Sequence, residues 1–415
     1  MNPERVRSGQ RPDPKQPNNA AMAGRVPPWT CNAPGLRNRR PVLDWCHVTV
    51  VWTVWSVVCF LVNLPGGYSW HYFATGAALL FDGGAAGAPS GGLHLYAHYP
   101  GLQIGPVTFV VAEVLRVLPP TAAQLAAQTV MMALGPFILV QLRSATRILR
   151  PSAAETRAMR VTALVAGCAF SMVWASVAVY YAHLDDALAL FLTVLALRAL
   201  AEGAPALAGI CLGLACDAKP WALVFAPLLW TAARGQRRYA ATSAVAVVTA
   251  AWLPFIIADF GTLQAASYTI VNVSSSALRA LGVSDPQTPP WDRAGQLLLG
   301  SALGALAIRR RHWQAVLLLG VSARLLLDPE VYDYYTAGLL LGTLSWELLG
   351  LQRPRPWWTL GSFVTLYLAP RLLTSPAVLG QIRLWTVVVL AASSLTLATP
   401  SCALDSPSRR LEPPG

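Results

Sequence analysis

Long runs of apolar residues, separated by short polar or charged stretches, dominate the pattern of this sequence. The runs are 13 to 23 residues long, which suits helices that cross all or much of a bilayer whose hydrocarbon core is about 30 Å thick. The pattern predicts an all-α fold, a polytopic helical membrane protein. The runs are 45–64, 104–118, 121–143, 159–180, 186–202, 204–216, 220–233, 239–258, 293–308, 313–327, 335–350, 357–373 and 381–398.

Basic residues divide the ends of these runs between the two sides of the membrane. No lysine or arginine occurs in 41–115, although this span includes the long loop after the first run. By the positive-inside rule, that loop lies outside and the basic N-terminal tail lies in the cytoplasm. We expect the later basic clusters to be cytoplasmic as well; they are 143–160, 234–238, 309–311 and 353–355.

The run 104–118 breaks the alternation of crossings. At about 1.5 Å per residue its 15 residues reach only about 22 Å, and Pro119-Pro120 follows directly. We therefore interpret it as a short half-membrane or tilted helix. The other runs then give about 12 crossings, a multi-pass protein of the cell (plasma) membrane with both termini cytoplasmic.

The sequence further divides into one membrane domain and two tails. Residues 1–40 are basic and proline-rich, too poor in apolar residues to form a core, and are predicted to be a disordered cytoplasmic tail rather than a cleaved signal peptide. Residues 41–398 form the integral membrane domain, and 399–415 a second disordered cytoplasmic tail.

In the first outer loop, 69–82 has apolar residues at three- and four-residue spacing, which predicts a helix lying in the membrane interface.

The composition and the charge of the chain exclude several classes of protein. The chain is 55% hydrophobic and only 12% charged, which excludes an ordinary cytosolic enzyme, since soluble domains carry about 25% charged residues. Because the net charge of +12 comes mainly from the cytoplasmic side, it indicates contact with anionic membrane lipid rather than nucleic acid. Neither a phosphate-binding glycine loop, nor a cysteine–histidine zinc pattern, nor a disulfide framework is present. The sequon Asn272-Val273-Ser274 carries little weight.

Acidic residues gather on the predicted outer side, although they played no part in the topology. Since carboxylates contribute little to topology, their clustering suggests catalysis or cation binding, and a divalent cation remains open. They are Asp82, Asp185, Asp186, Asp259, Asp285, Asp292, Asp328, Glu330 and Asp333.

Histidines and aromatic residues form a first candidate group in the outer loop. His71 follows Trp70, and His94 and His98 flank Tyr96, with Tyr99 next. The aromatic residues could simply anchor the loop in the interface, where tryptophan and tyrosine are enriched.

A second group combines His183 with Asp185 and Asp186 at the start of a predicted helix. One aspartate is enough for a helix cap, so the pair plus histidine points to binding a metal or an acceptor hydroxyl. Lys219 is one of only two lysines in the chain. At membrane depth it could pair with Asp217, neutralise a lipid phosphate or extend to the interface.

A third group begins with Arg324, one turn before an outer acidic loop. Its guanidinium could hold a phosphate with two hydrogen bonds, or pair with Asp328 four residues later. The loop and the helix start that follow supply candidate substrate-binding residues, Asp328, Tyr332 and Asp333, beside His98 and Tyr99 of the first loop.

Three stretches in this order resemble the GT-C superfamily of membrane glycosyltransferases, most closely the actinobacterial polyprenyl-phosphate-mannose-dependent α-mannosyltransferases. The stretches lie within residues 45–335 and are Leu95-Tyr96-Ala97-His98-Tyr99-Pro100 with Gly105-Pro106, His183-Leu184-Asp185-Asp186, and Leu212-Gly213-Leu214-Ala215 with Ala218-Lys219-Pro220-Trp221-Ala222-Leu223. The resemblance implies a polyprenyl-phosphate sugar donor, mannose foremost, and a glycolipid or glycan acceptor in the cell envelope.

One feature departs from that family, in which the first outer loop carries the catalytic base soon after the first helix. Here Tyr68-Ser69-Trp70-His71 occupies that place and holds no acid. His71, Asp82, Asp185 or Asp186 could supply the base, with His183 beside the last two.

The sequence thus predicts a membrane glycosyltransferase with an extracytoplasmic active site, in which Lys219 and Arg324 bind the donor phosphate. Two alternatives remain open: a lipid-linked-sugar flippase or small-solute transporter, and a non-catalytic relative.

Overall fold

The computed structural model describes residues 43–82, 91–352 and 354–397. The predicted tails, 1–40 and 399–415, lie outside these residues. Within the described ranges the chain is helical, and the only β pairing is an isolated bridge between Val271 and Gln287. The prediction of an all-α fold is confirmed.

Among the described residues, five helices are long and apolar enough to cross a membrane, and each matches a predicted run. One of them, α5, has 30 residues and extends well beyond the predicted 121–143. The helix α7 continues into a π-helical turn, Ser176–Tyr180, and spans 24 residues in all. The five are α1 (Trp45–Asn63), α5 (Pro120–Leu149), α7 (Arg157–Ala175), α10 (Arg237–Ala258) and α17 (Pro376–Thr396).

The remaining helices are shorter. Their lengths neither confirm nor contradict 12 crossings, which stay a prediction. They are α2 (Trp70–Phe81), α3 (Leu95–His98), α4 (Pro106–Arg116), α6 (Pro151–Ala154), α8 (Leu184–Ala201), α9 (Pro205–Ala218), α11 (Ala277–Ala280), α12 (Asp292–Arg309), α13 (Val316–Leu327), α14 (Asp333–Leu349), α15 (Trp357–Phe363) and α16 (Ala369–Leu372), with 3₁₀ segments at Gly92–His94, Pro220–Thr231, Phe260–Ser267 and Trp313–Ala315 and a π-helical turn at Val364–Leu368.

The helix α4 is short, as predicted for the run 104–118, while its half-membrane or tilted position stays a prediction. Its 11 residues reach about 16 Å at 1.5 Å per residue, about half of the hydrocarbon thickness. Pro119 ends the preceding segment and α5 starts at Pro120, because proline disfavours helix in the residue before it but suits a first helical turn. The helix predicted over 69–82 is present as α2, and its place in the membrane interface stays a prediction.

The helix α1 shows how the apolar helices divide their faces. Trp45, Val48, Trp52, Ser56 and Cys59 are buried at three- and four-residue spacing, and the indole of Trp52 donates to the carbonyl of Ala163 on α7 at 3.2 Å. The opposite face exposes seven large apolar side chains, which are Val50, Val51, Val54, Val57, Val58, Leu61 and Val62. Such a continuous apolar surface is typical of a lipid-facing helix.

The helix α14 lies at the centre of the molecule. Of its 17 residues, 15 are buried, and it packs against α7, α13 and α15. A helix that is buried all round needs neighbours on every side, so α14 provides a fixed reference for the elements that carry the site.

The helix ends contact one another in two separate sets. One set contains ends that the sequence predicts on the cytoplasmic side of the membrane, and the other contains ends predicted on the outer side. Among the predicted cytoplasmic ends, the backbone or side-chain bonds are Trp45 to Ala154, Arg160 to Leu43 and Arg150 to Leu348. Among the predicted outer ends they are Gly67 to Tyr180, Gly105 to Ala218, Val273 to Pro329 and Arg383 to Ser275.

The sequon at Asn272 has a structural role. Its side-chain nitrogen donates to the carbonyls of Val283 and Asp285, and its oxygen accepts from Ser276. Asn272 as a whole residue is only 2% exposed. This asparagine therefore stabilises the loop and is not accessible for glycosylation in the folded chain.

Candidate functional site

Three helix ends meet to form a cluster of charged side chains. Asp185 and Asp186 lie in the first turn of α8, directly after His183. Lys219 ends α9 in an extended conformation, because Pro220 follows it. Arg324 lies in the last turn of α13. We call these five residues the charged cluster.

The backbone before His183 is irregular. The π-helical turn Ser176–Tyr180 is followed by Ala182, whose φ of 52° is in the left-handed region that favours glycine. The N–H of His183 then donates to the carbonyl of Val177 at 2.8 Å. Since π-turns and strained residues concentrate at functional sites, this local structure supports a role for His183 beyond capping α8.

His183 and the two aspartates lie in direct contact. Nδ1 of His183 is 2.6 Å from Oδ1 of Asp185 and 3.1 Å from Oδ2 of Asp186. The N–H of Asp186 also donates to Oδ1 of Asp185 at 2.8 Å. These contacts place the Nδ1 proton between the carboxylates and leave Nε2 on the opposite edge of the ring to accept a proton.

The two cations pair most closely with different aspartates of the cluster. Nζ of Lys219 contacts Oδ2 of Asp185 and lies 4.0 Å from Oδ2 of Asp186. Nη1 of Arg324 lies 3.1 Å from Oδ1 of Asp186, and its Nε is 3.5 Å from Oδ2 of Asp328. Asp217 was one expected partner of Lys219, but Lys219 pairs with Asp185 instead. Arg324 makes the expected contact with Asp328 and also contacts Asp186, while its binding of a phosphate stays a prediction.

Aromatic rings enclose the charged cluster. The guanidinium of Arg324 lies 4.2 Å from the ring centres of both Trp221 and Tyr335. The ring of His183 stacks on Tyr334 at 4.1 Å. Trp221 also donates from its indole to Oδ1 of Asp186 at 2.9 Å. This packing lowers the local dielectric and strengthens each charge interaction.

Access to the cluster is uneven. The side chain of Asp185 is fully buried, those of Asp186 and Arg324 are less than 10% exposed, and His183 and Lys219 are 13% and 16% exposed. A ligand that approached the cluster would therefore meet the imidazole and the ammonium first.

In the connecting segments at the charged cluster, His183 and Asp328 have shifted pKa values. Burial is the largest single influence and disfavours the charged form of His183, but the carboxylates of Asp185 and Asp186 together outweigh it and raise the pKa of this histidine above its ordinary value. Burial also raises the pKa of Asp328, with Arg324 opposing the shift. His183 is therefore a stronger base than a free histidine, and Asp328 gives up its proton less readily than a free aspartic acid.

His183, Asp185 and Asp186 could also serve as metal ligands, because one ligand atom from each lies within 4.8 Å of the others. Lys219 and Arg324 already neutralise both carboxylates. A cation at this position would have to compete with two fixed positive charges, so the donor set fits a divalent metal poorly.

Other predicted site residues lie apart from the charged cluster. Asp82 pairs with Arg116 at 2.7 Å, and His71 is exposed with its ring against Tyr72. His98 is exposed near His94, and Tyr99 is half-buried in the same segment. Neither first-loop base candidate, Asp82 or His71, contacts the cluster in the described part of the chain.

The loop after α13 approaches the cluster more closely. Asp328 contacts Arg324, and the ring of Tyr332 stacks on Tyr334 at 4.9 Å. Asp333 pairs instead with Arg371 at 2.7 Å. The structure thus joins Asp328 and Tyr332 to the surroundings of the cluster and turns Asp333 toward the end of α16.

Two buried charges were missed by the sequence analysis. Arg383 on α17 is 8% exposed and donates to the carbonyl of Ser275. Glu347 is fully buried and accepts from the N–H groups of Trp358 and Thr359 at the start of α15. A lone glutamate inside a predicted apolar run was the available signal for Glu347.

No protein-family model matches the chain, and a comparison with curated proteins finds no match.

Proposed function

We propose that the protein is a membrane glycosyltransferase that moves a sugar, mannose foremost, from a polyprenyl-phosphate donor to a glycolipid or glycan acceptor on the outer face of the membrane. The observation that carries the proposal is the charged cluster itself, built from three separate helix ends. Buried ions in an apolar protein are costly and by default indicate a functional site.

The chemistry of the cluster suits transfer from a phosphate leaving group. Lys219 and Arg324 each retain hydrogen-bond donors that the aspartates do not use, since an ammonium has three and a guanidinium five. Those donors stabilise the charge that develops on the polyprenyl phosphate as its bond to the sugar breaks. Enclosure by aromatic rings makes this stabilisation larger than it is in water.

His183 is the base that the geometry favours. Asp185 holds Nδ1 at 2.6 Å, as a carboxylate orients a catalytic histidine in a hydrolase triad. The acceptor oxygen attacks the anomeric carbon, the bond from that carbon to the phosphate oxygen breaks, and the acceptor proton passes to Nε2. His183 thus takes the role of catalytic base, for which the first outer loop has no acid at the usual place.

The test is sugar transfer in membranes supplied with a polyprenyl-phosphate sugar. Removing a general base lowers turnover by about 10²–10⁴-fold, so we expect His183→Gln to lower kcat by at least about 100-fold while donor binding persists. Asp185→Ala combined with Asp186→Ala should abolish transfer. Asp44→Asn is the matched control, because Asp44 is an exposed helix cap at the other end of the molecule.

Undiminished transfer by the Asp185→Ala/Asp186→Ala variant would contradict these roles. Loss of activity in Asp82→Asn, with the His183→Gln enzyme active, would return the base to the first loop. Movement of the lipid-linked sugar across vesicles without a new glycosidic bond would support a transporter instead.

A further inference from the structure

A second group of polar side chains lies away from the charged cluster, where the first outer loop meets the end of α10. His94 and His98 are one helical turn apart, at the end of the 3₁₀ segment Gly92–His94 and of α3. Asp259 follows the last residue of α10. The two histidines are exposed and the Asp259 side chain is 30% exposed.

The spacing of the first two ligand atoms suits a metal. Nδ1 of His94 lies 3.3 Å from Oδ2 of Asp259, longer than an ordinary N–H···O hydrogen bond of about 2.9–3.0 Å. Two ligands that each lie about 2.0–2.1 Å from a tetrahedral zinc ion are about 3.3 Å apart. The observed separation therefore fits a shared metal, although it also lies within the range of a long hydrogen bond.

The second histidine lies slightly outside binding distance. The ring centres of His94 and His98 are 6.4 Å apart, whereas two imidazoles on one tetrahedral zinc have ring centres about 5 Å apart. Because His98 is exposed, its side chain is free to change rotamer, and the site requires a rotamer in which the ring centres are about 1.4 Å closer.

The carboxylate is already oriented for binding. Oδ1 of Asp259 accepts the N–H of Gly261 at 2.8 Å, which fixes the group and leaves Oδ2 directed at His94. Such a bond to the non-ligating oxygen is a common support of metal ligands. A Cβ at Gly261 would lie 3.0 Å from the Cβ of Ala97, so close packing also holds the two segments together.

We propose that His94, His98 and Asp259 form a binding site for a divalent transition metal, with zinc as the first ion to test and water as the fourth ligand. The metal joins the first outer loop to the end of α10. That loop continues to Gly105, whose N–H donates to the carbonyl of Ala218 beside Lys219 at 3.0 Å, so the metal also stabilises the approach to the charged cluster.

The experiment measures zinc in tag-free protein purified in detergent, by metal analysis after dialysis and by the zinc-induced change in Tm. We expect wild type to hold about one zinc ion more per chain than the His94→Ala/His98→Ala variant. The single variant His98→Ala should bind zinc at least about tenfold more weakly. His71→Ala is the control, because it removes another exposed histidine of the same loop.

Asp259→Asn separates binding from folding. An asparagine oxygen can still accept the Gly261 N–H, so the loop should retain its structure and wild-type Tm without zinc, yet lose the zinc-induced shift. Equal zinc content and equal Tm shifts in wild type and the double histidine variant would overturn the proposal, whatever the outcome for sugar transfer.

Discussion

At the scale of single residues, the charged cluster balances its own charge. Asp185 contacts His183 and Lys219, and Asp186 contacts Arg324. Each buried carboxylate thus has a cation within ion-pair distance, which offsets the cost of removing it from water. The balance also explains why neither aspartate acts as a simple helix cap.

Removing one partner should cost more than removing both. Lys219→Met leaves Asp185 with His183 alone, and we expect a loss of about 3 kcal/mol, because breaking a buried pair typically costs about 3–5 kcal/mol. Asp185→Leu in the same chain should restore much of the stability, since no unpaired ion then remains. Thermal unfolding in detergent measures both effects.

Sugar transfer should remain absent in the double variant even where Tm recovers. A Tm for Lys219→Met equal to that of wild type would contradict the ion pair. Glu347 offers a comparison, because its buried carboxylate binds the N–H groups of Trp358 and Thr359 and therefore needs no cation.

At the scale of elements, the site depends on where helices end. Pro220 ends α9 at Lys219, and a 3₁₀ segment replaces the predicted run 220–233 over Pro220–Thr231. The π-turn and the left-handed Ala182 precede α8. Each irregularity directs a polar side chain inward that a continuous helix would direct elsewhere.

Gly105, at the end of the first outer loop, packs directly against the backbone at the end of α9. A Cβ at this position would lie 1.7 Å from the carbonyl oxygen of Asp217. The backbone of Asp217 cannot move aside without displacing Lys219, two residues later. We expect Gly105→Ala to lose about 1–3 kcal/mol, the usual cost of overpacking, and to lower sugar transfer. Thermal unfolding and the transfer assay measure the two effects.

Gly361 provides the control. It lies inside α15 with no neighbouring atom within 4 Å of an added Cβ, so Gly361→Ala should leave Tm unchanged or raise it, because alanine favours helix. An equal response of the two variants would argue against a close contact at Gly105.

At the scale of the whole molecule, helix ends form two sets and lipid-facing apolar side chains lie between them. The charged cluster belongs to the set that the positive-inside rule places outside. The catalytic proposal requires this orientation, since its acceptor lies on the outer face.

Cysteine labelling tests the orientation. In a chain lacking the native cysteines at 31, 46 and 402, we expect Ser284→Cys to react with a membrane-impermeant maleimide in intact cells. Gln236→Cys should react only after permeabilisation. Both positions are exposed, so accessibility within the fold does not distinguish them. The reverse pattern of labelling would invert the topology.

The sequence was sufficient to predict the helical class and the place of most helices, because an apolar run of membrane length has few alternatives to a helix. It also identified all five residues of the charged cluster, since ions are rare in such a chain. It did not predict the extension of α5 to Leu149, because the polar last turns are stabilised by tertiary contacts such as the bond from Arg150 to Leu348.

Pairing was decided by the tertiary structure alone. The positive-inside rule predicts that Asp82, Asp185 and Asp186 lie on one side of the membrane. Only the packing of α8 against α9 and the approach of α13 bring Lys219 and Arg324 to the last two. Hydropathy depends on local sequence, and ion pairing depends on contacts 34 and 138 residues apart. The sequence therefore determined which residues are exceptional, and the fold determined which of them act together.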